Sequence, residues 1–271
     1  MISRLKRIPH YRQLLQGLRA LLRQSPQHKD FLFWYAKHGA WIPEFRNRYS
    51  GEDCFLLANG PSLNAVDFEK INDFHLIGLN KVHLLLERAK LDLTFHVAIN
   101  NLVIEQSWQD FKLLNCPSFL SYRSAKKCVL DYPKRHLFLT ERMPIPRFSR
   151  VYDEPIWEGW TVTYAALQLA YFMGFKNVFL VGLDHNFNAL GAPNEEQAMQ
   201  GADPNHFDPR YFAGSRWHLP DLEGSEMGYR IARFTFERSG RSIFDATEQG
   251  HCRIFPRMSL EEAYSRARPR A

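Results

Sequence analysis

The 271-residue chain is predicted to be an α/β protein, a mostly parallel sheet with helices on both faces, preceded by an N-terminal helical extension. Three observations predict this. From Gly51 onward, short apolar runs alternate with stretches of helical period, the pattern of βαβ units. Several of those runs stop at an asparagine or aspartate, as strands do when they open onto a loop. Residues 1–50 have a different character, basic and leucine-rich, without strand-like runs.

Within the extension, Leu14, Leu15, Leu18, Leu21 and Leu22 recur at helical spacing across Tyr11–Gln24, with Arg12, Arg19 and Arg23 between them. Such a helix either lies on an anionic membrane surface or packs its apolar stripe on the domain or on a second subunit. Peripheral membrane contact through residues 1–29 and a homo-oligomer are therefore both expectations. Phe31, Phe33, Trp34 and Tyr35, followed by Trp41, read as a buried or interfacial anchor.

The domain itself is expected over 51–271. Cys54–Ala58, His75–Asn80 and Leu93–Asn100 are its first strands, and Ser118–Tyr122 and His136–Thr140 are two more. Thr161–Met173 reads as a helix stopped by Gly174, and Asn177–Leu183 as a strand leading into Asp184. Residues 186–221 are rich in Gly, Pro, Asn and Asp, which marks a lid, a binding loop or disorder. A helix at Ser225–Arg238, a strand at Ser242–Ala246 and a helix at Leu260–Arg266 close the domain.

Composition bounds the function. A hydrophobic fraction of 45% with 21 Phe fills a real core. No run reaches the roughly 18 apolar residues of a membrane span, and the basic start lacks the apolar core of a secretory signal. The expected location is the cytoplasm, at most peripheral at the inner membrane face. Cys54, Cys116, Cys128 and Cys252 form no C-x-x-C pair, so neither a zinc knuckle nor a disulfide framework is indicated. The net charge is +6, yet Arg4, Lys6, Arg7, Arg12, Arg19, Arg23 and Lys29 all precede the first acidic residue, Asp30. The rest is close to neutral, and no nucleic acid is expected as a partner.

The candidate chemistry lies at strand ends. Asn59-Gly60-Pro61-Ser62 follows the first strand. Gly60 lets the backbone approach a ligand, and the next turn offers free N–H groups to an anion; a simple turn accounts for the same residues. Asn80, Asn100 and Asn101 end later strands, where amides can donate to phosphate or accept from ribose without adding charge. Each can equally be a cap. Thr161 and Thr163 open the long helix and either cap it or face a phosphate. Asp184 and His185 suit proton transfer, or a magnesium ion on Asp184. In the long loop, His206 is a candidate general base, Arg216 and Tyr211 are candidate substrate contacts, and Asp203, Asp208 and Asp221 are further carboxylates for a metal. There is no G-x-G-x-x-G, Walker lysine loop, H-E-x-x-H or G-x-S-x-G.

Cys54-Phe55-Leu56-Leu57-Ala58-Asn59-Gly60-Pro61-Ser62-Leu63 together with Gly174-Phe175-Lys176-Asn177-Val178-Phe179-Leu180-Val181-Gly182-Leu183-Asp184 resembles one superfamily. It joins the bacterial lipooligosaccharide sialyltransferases with the 6-hydroxymethylpterin diphosphokinase (MptE)-like proteins. The resemblance covers roughly Gly51 to Arg257 and implies a Rossmann-like nucleotide-binding catalytic domain. It implies nucleotide contacts at Asn59, Gly60, Ser62, Asn80, Thr161 and one of Asn100 and Asn101, and a catalytic base at His206. Where the sialyltransferases carry an arginine, a serine and a tyrosine, this chain has Gly159, Val162 and Asn186, so CMP-sialic acid does not carry over as donor.

The leading expectation is a glycosyltransferase-like enzyme that uses a nucleotide-activated sugar and a glycan acceptor in surface polysaccharide or glycoconjugate synthesis. The alternatives are a magnesium-dependent diphosphokinase of the 6-hydroxymethylpterin type and a non-catalytic nucleotide-binding protein.

Overall fold

A computed structural model describes residues 26–128, 132–142, 147–152 and 154–270. The amphipathic stretch Tyr11–Gln24 lies outside the described residues. The chain divides into two compact units, Met1–Ala40 and Trp41–Ala271. In the first, α1 (Pro26–His38) brings the Phe31 and Trp34 rings to 5.5 Å and those of Phe31 and Tyr35 to 5.9 Å, with Leu32 and Phe33 exposed.

The second unit starts at Trp41, ahead of the boundary expected at Gly51, and the reason is aromatic. The short helix α2 (Trp41–Phe45) is buried through Trp41, Ile42 and Phe45. The Trp41 Nε1–H donates to the Leu137 carbonyl at 3.0 Å, and its ring lies 5.1 Å from Phe119 and 5.0 Å from Tyr152. Trp41 is thus the expected anchor, and it ties the segment before Gly51 into the domain.

The core is a seven-stranded sheet. Its strands are β1 (Asp53–Leu57), β2 (His75–Leu79), β3 (Phe95–Ala98), β4 (Ser118–Ser121), β5 (Arg135–Phe138), β8 (Asn177–Val181) and β11 (Ser242–Asp245), in the order β11-β8-β1-β2-β3-β4-β5. Every pairing in it is parallel. All five residues of β1 are buried, as a central strand covered on both faces requires. Stacked rings continue across the strands, with Phe55 to Phe179 at 5.1 Å and Phe179 to Phe244 at 5.5 Å. A two-residue parallel pair, β6 (Thr140–Glu141) and β7 (Ile156–Trp157), stands apart from the main sheet.

The helices explain themselves locally. The turns α3 (Phe68–Ile71) and α4 (His83–Leu86) each run one turn, too short for a periodic signal. Asn100 caps α5 (Asn101–Phe111) by accepting from the N–H groups of Leu102 and Val103. Thr161 caps α6 (Val162–Met173), and Gly174 at φ 99° returns its N–H to the carbonyls of Ala170 and Tyr171. That left-handed conformation suits glycine and is why the helix stops where the sequence predicts. Asp221 caps α7 (Leu222–Glu237), and Ser259 with Glu262 forms a capping box on α8 (Leu260–Arg266).

This topology makes a site. From β1 the chain steps through β2, β3, β4 and β5 to one edge, then returns through α6 to β8 on the other side of β1. The strand order therefore reverses between β1 and β8. The loops leaving the carboxyl ends of those strands diverge and leave a crevice.

Candidate functional site

A cleft of about 640 Å³ opens at that reversal, lined by Asn59 and Gly60 after β1 and by Gly182, Leu183 and Asp184 after β8. The two loops are clamped together. The Asp184 carboxylate accepts from the Ser62 N–H at 3.1 Å and from the Ser62 hydroxyl at 2.6 Å, and the Gly60 N–H donates to the Gly182 carbonyl at 2.9 Å. Gly60 is required by this approach, since a Cβ there would sit 2.0 Å from an Asp184 carboxylate oxygen. The clamp is buttressed from β11. The Asp245 carboxylate accepts from the Thr247 N–H at 2.9 Å, and the Thr247 hydroxyl accepts from the Leu183 N–H at 3.0 Å.

Asn80 and Asn100 line the same cleft, and Asn101, one residue inside α5, does not. Asn59 and Asn80 each keep a buried side-chain oxygen without a hydrogen bond among the described residues. Such a group costs about 1–3 kcal/mol, so the polar accounting of the cleft wall is complete only with a further partner. Asn80 also adopts φ 47°, held by a residue absent from the sequence-level candidates. His96, in the middle of β3, places Nε2 at 2.7 Å from the Asn80 carbonyl and Nδ1 at 3.3 Å from the Ser118 hydroxyl. Burial pushes its pKa down to about 3. The ring is therefore neutral near pH 7 and its Nε2–H donates to Asn80. A histidine inside an otherwise apolar strand was the signal.

On the opposite wall, Thr161 and Thr163 stand at the amino end of α6, which carries the positive end of the helix dipole. The Thr161 hydroxyl accepts from the Thr163 N–H at 3.3 Å and lies 3.4 Å from the Tyr229 hydroxyl. Thr161 and Asn100 thus cap and line the cleft at once. His185, at φ 53°, sets Nε2 3.3 Å from Glu226 on α7 and lines the cleft beside Asp184.

Residues 186–221 fold over this cleft. β9 (Glu196–Ala198) and β10 (Arg216–His218) pair antiparallel, strands too short for an alternating pattern to show. The Phe207 N–H donates to the Asn59 carbonyl at 2.9 Å, and the Asn64 side-chain amide donates to the Phe207 carbonyl at 3.1 Å, so the lid is fastened to the β1 loop. Lys81 fastens it from below: Nζ donates to the Tyr211 carbonyl at 2.6 Å and to Gln106 at 2.8 Å. Burial lowers the Lys81 pKa to about 8.

The lid presents His206 to the cleft. Its Nδ1 lies 2.8 Å from the carboxylate of Asp203, whose side chain is fully buried. The ring stacks on Tyr211 at 4.1 Å and 8°. With Nδ1–H donated to Asp203, the Nε2 lone pair is the free one. A ring fixed in tautomer and plane with an open second nitrogen is built to accept a proton.

Other expected residues stand elsewhere. Tyr211 lies behind His206 and supports its ring, and Arg216 pairs with Glu196 at 2.7 Å; neither lines the cleft. Next to Arg216, Trp217 and His218 do line it. The loop carboxylates do not gather for a metal. Asp203 serves His206, Asp208 pairs with Arg210 at 2.8 Å, and Asp221 accepts from the Gly224 N–H at 2.8 Å as the α7 cap. Among the described residues no three His, Cys, Asp or Glu side chains converge as a metal site. Of the expected metal carboxylates only Asp184 lines the cleft, and both of its oxygens accept from Ser62. No helix among the described residues is long and apolar enough to cross a membrane.

Comparison with known proteins adds a family. The family model described as 6-hydroxymethylpterin diphosphokinase MptE-like matches residues 35–189, a span that takes in the β1 loop, the α6 start and Asp184. No curated protein and no solved structure matches.

Proposed function

The chain belongs to the 6-hydroxymethylpterin diphosphokinase MptE-like family, and from that premise we propose that it is a nucleotide-dependent transferase acting on an acceptor hydroxyl. The observation that carries the reading is the His206–Asp203 pair, 2.8 Å apart, held over a nearly neutral cleft at the β1/β8 reversal. The amides of Asn59, Asn80 and Asn100, the loop at Gly60 and Ser62, and the α6 amino end with Thr161 and Thr163 hold the nucleotide. His206 Nε2 takes the proton of the acceptor hydroxyl as its oxygen attacks. Asp203 then faces an imidazolium, whose charge it balances in a buried setting. The bond between the transferred group and the nucleotide phosphate oxygen breaks, and its electron pair stays on that oxygen.

The family description says diphosphokinase, which favours diphosphate as the transferred group, with a nucleoside triphosphate as its donor. A magnesium ion held by the phosphates would neutralise charge in that reaction. A second reading, transfer of a sugar from a nucleotide-sugar, is favoured by the cleft lining. Its two carboxylates, Asp184 and Glu158, already have partners in Ser62 and Arg142, and it contains no lysine among the described residues. A triphosphate with two metal ions asks for more. In both readings the acceptor oxygen gives its proton to the same histidine.

A thermal-shift panel of CMP, CDP, UDP, GDP and ATP, each with and without magnesium, tests the proposal. At about 100 times its Kd, a ligand adds roughly 2.7 kcal/mol, which raises the midpoint by roughly 5–10 °C for a domain of this size. Stabilisation by ATP with magnesium alone supports diphosphate transfer. Stabilisation by a pyrimidine nucleotide or GDP without metal supports sugar transfer. A flat response across the panel contradicts the nucleotide reading.

A further inference from the structure

Phosphate binding and departure both place negative charge in the cleft, and charge must be met there. Among the described residues lining the cleft, Arg142 is the single arginine or lysine. Its position is built by the small β6/β7 pair. Thr140 aligns with Ile156 and Glu141 with Trp157, and the Glu158 N–H donates to the Glu141 carbonyl at 3.0 Å. This sets Arg142 and Glu158, each one residue past its strand, side by side.

The contact between them is specific in its atoms. Arg142 donates through Nε to the Glu158 carboxylate, whose side chain is 7% exposed, while the arginine side chain is 72% exposed. Nη1 and Nη2 make no hydrogen bond among the described residues. A guanidinium held by its Nε edge presents its terminal pair as a fork, the geometry that receives two oxygens of a phosphate. On β10 the pKa of His218 is lowered, first by burial and in smaller part by the Arg142 charge. Glu158 leaves the pair with no net charge, so the arginine adds direction and hydrogen bonds at the site without a strong general attraction for anions.

We propose that Arg142 is the residue that binds the nucleotide's phosphate, with Glu158 as the positioning residue that aims its guanidinium. This rests on the nucleotide reading above. As the donor bond breaks, the electron pair goes to the phosphate oxygen and the acceptor's proton to His206 Nε2; Arg142 stabilises the charge that collects on the phosphate.

Calorimetric titration of CDP, UDP, GDP and ADP, each beside its own nucleoside, tests this in wild type, Arg142→Ala, Arg142→Lys and Glu158→Gln. Arg142→Ala should weaken the diphosphate that binds wild type by roughly 10- to 100-fold, the loss expected for charge-assisted hydrogen bonds. It should leave the matching nucleoside unchanged. Arg142→Lys should recover part of the loss, because an ammonium restores charge but not the fork. Glu158→Gln should lose an intermediate amount, again with the nucleoside unchanged. Arg142→Ala leaves the 7% exposed Glu158 side chain without its cation and should lower the melting temperature, whereas Arg142→Lys keeps a cation beside it and should melt closer to wild type. Undiminished diphosphate affinity in Arg142→Ala, or a parallel loss of nucleoside affinity, would overturn the proposal. Wild type that binds none of the eight compounds would instead contradict the nucleotide reading beneath it.

Discussion

His206→Ala should lower turnover by about 100- to 10,000-fold, the usual yield of a positioned general base, and leave the affinity for the nucleotide within about twofold. The split follows from where the side chain stands. His206 comes from the lid, whereas the nucleotide-holding groups come from the β1 loop, the ends of β2 and β3 and the start of α6. Removing the ring also empties a stack on Tyr211 and a contact with Phe212 at 5.2 Å. His206→Gln, which keeps bulk and polarity without a basic nitrogen, therefore accompanies it and should be as inactive. Asp203→Asn should also lose activity while binding nucleotide, because an amide neither fixes the same tautomer nor balances an imidazolium. Single-turnover rates beside titration calorimetry read both halves. A His206→Gln enzyme with wild-type turnover would remove the base from the account.

Gly60→Ala should abolish nucleotide-induced stabilisation altogether. The added Cβ would lie 2.0 Å from Asp184 Oδ2, 2.5 Å from its Cγ and 2.8 Å from the Gly182 carbonyl oxygen. Real Cβ atoms do not approach so closely, so the β1 and β8 loops must part. Parting them breaks the two Ser62 bonds to a carboxylate, each worth about 1.5–3 kcal/mol because the acceptor is charged. The expected result is a lower melting temperature and no response to any nucleotide of the panel. Removing the obstacle supplies the control. Gly60→Ala combined with Asp184→Gly should be more stable than Gly60→Ala alone, a coupling expected only if the two side chains collide. Additive losses in that double-mutant cycle would show that the clash is not the cause.

Much of this was legible in the sequence, and the physical reason is locality. The buried strands of a parallel sheet read as continuous apolar runs, so Cys54–Ala58 and Asn177–Leu183 overlap β1 and β8 almost residue for residue. Gly174 announced a helix stop because only a left-handed residue closes the last turn there. Asn59, Gly60, Asn80 and Asp184 line one cleft because parallel strands deliver their carboxyl ends to one edge. What escaped depends on contacts between distant segments. The sequence offers Asp203 as a metal carboxylate, and nothing local says that it serves the histidine three residues on. Nothing local marks Lys81 as buried, because the lid covers it through the distant Tyr211 carbonyl. Arg142 and Glu158 meet only through β6 and β7, two-residue strands with no periodic signature. The place of Trp41 in the second unit is hidden for the same reason, since its indole partner Leu137 is far along the chain.

The most direct test of the central claim is hydrogen–deuterium exchange of the full chain, with and without the nucleotide that most stabilises it. The account predicts slower exchange in three separated segments, residues 58–63, 158–164 and 203–218, because the β1 loop, the α6 start and the lid close on one ligand. Protection elsewhere, with those segments unchanged, would place the nucleotide outside the β1/β8 cleft and contradict the account.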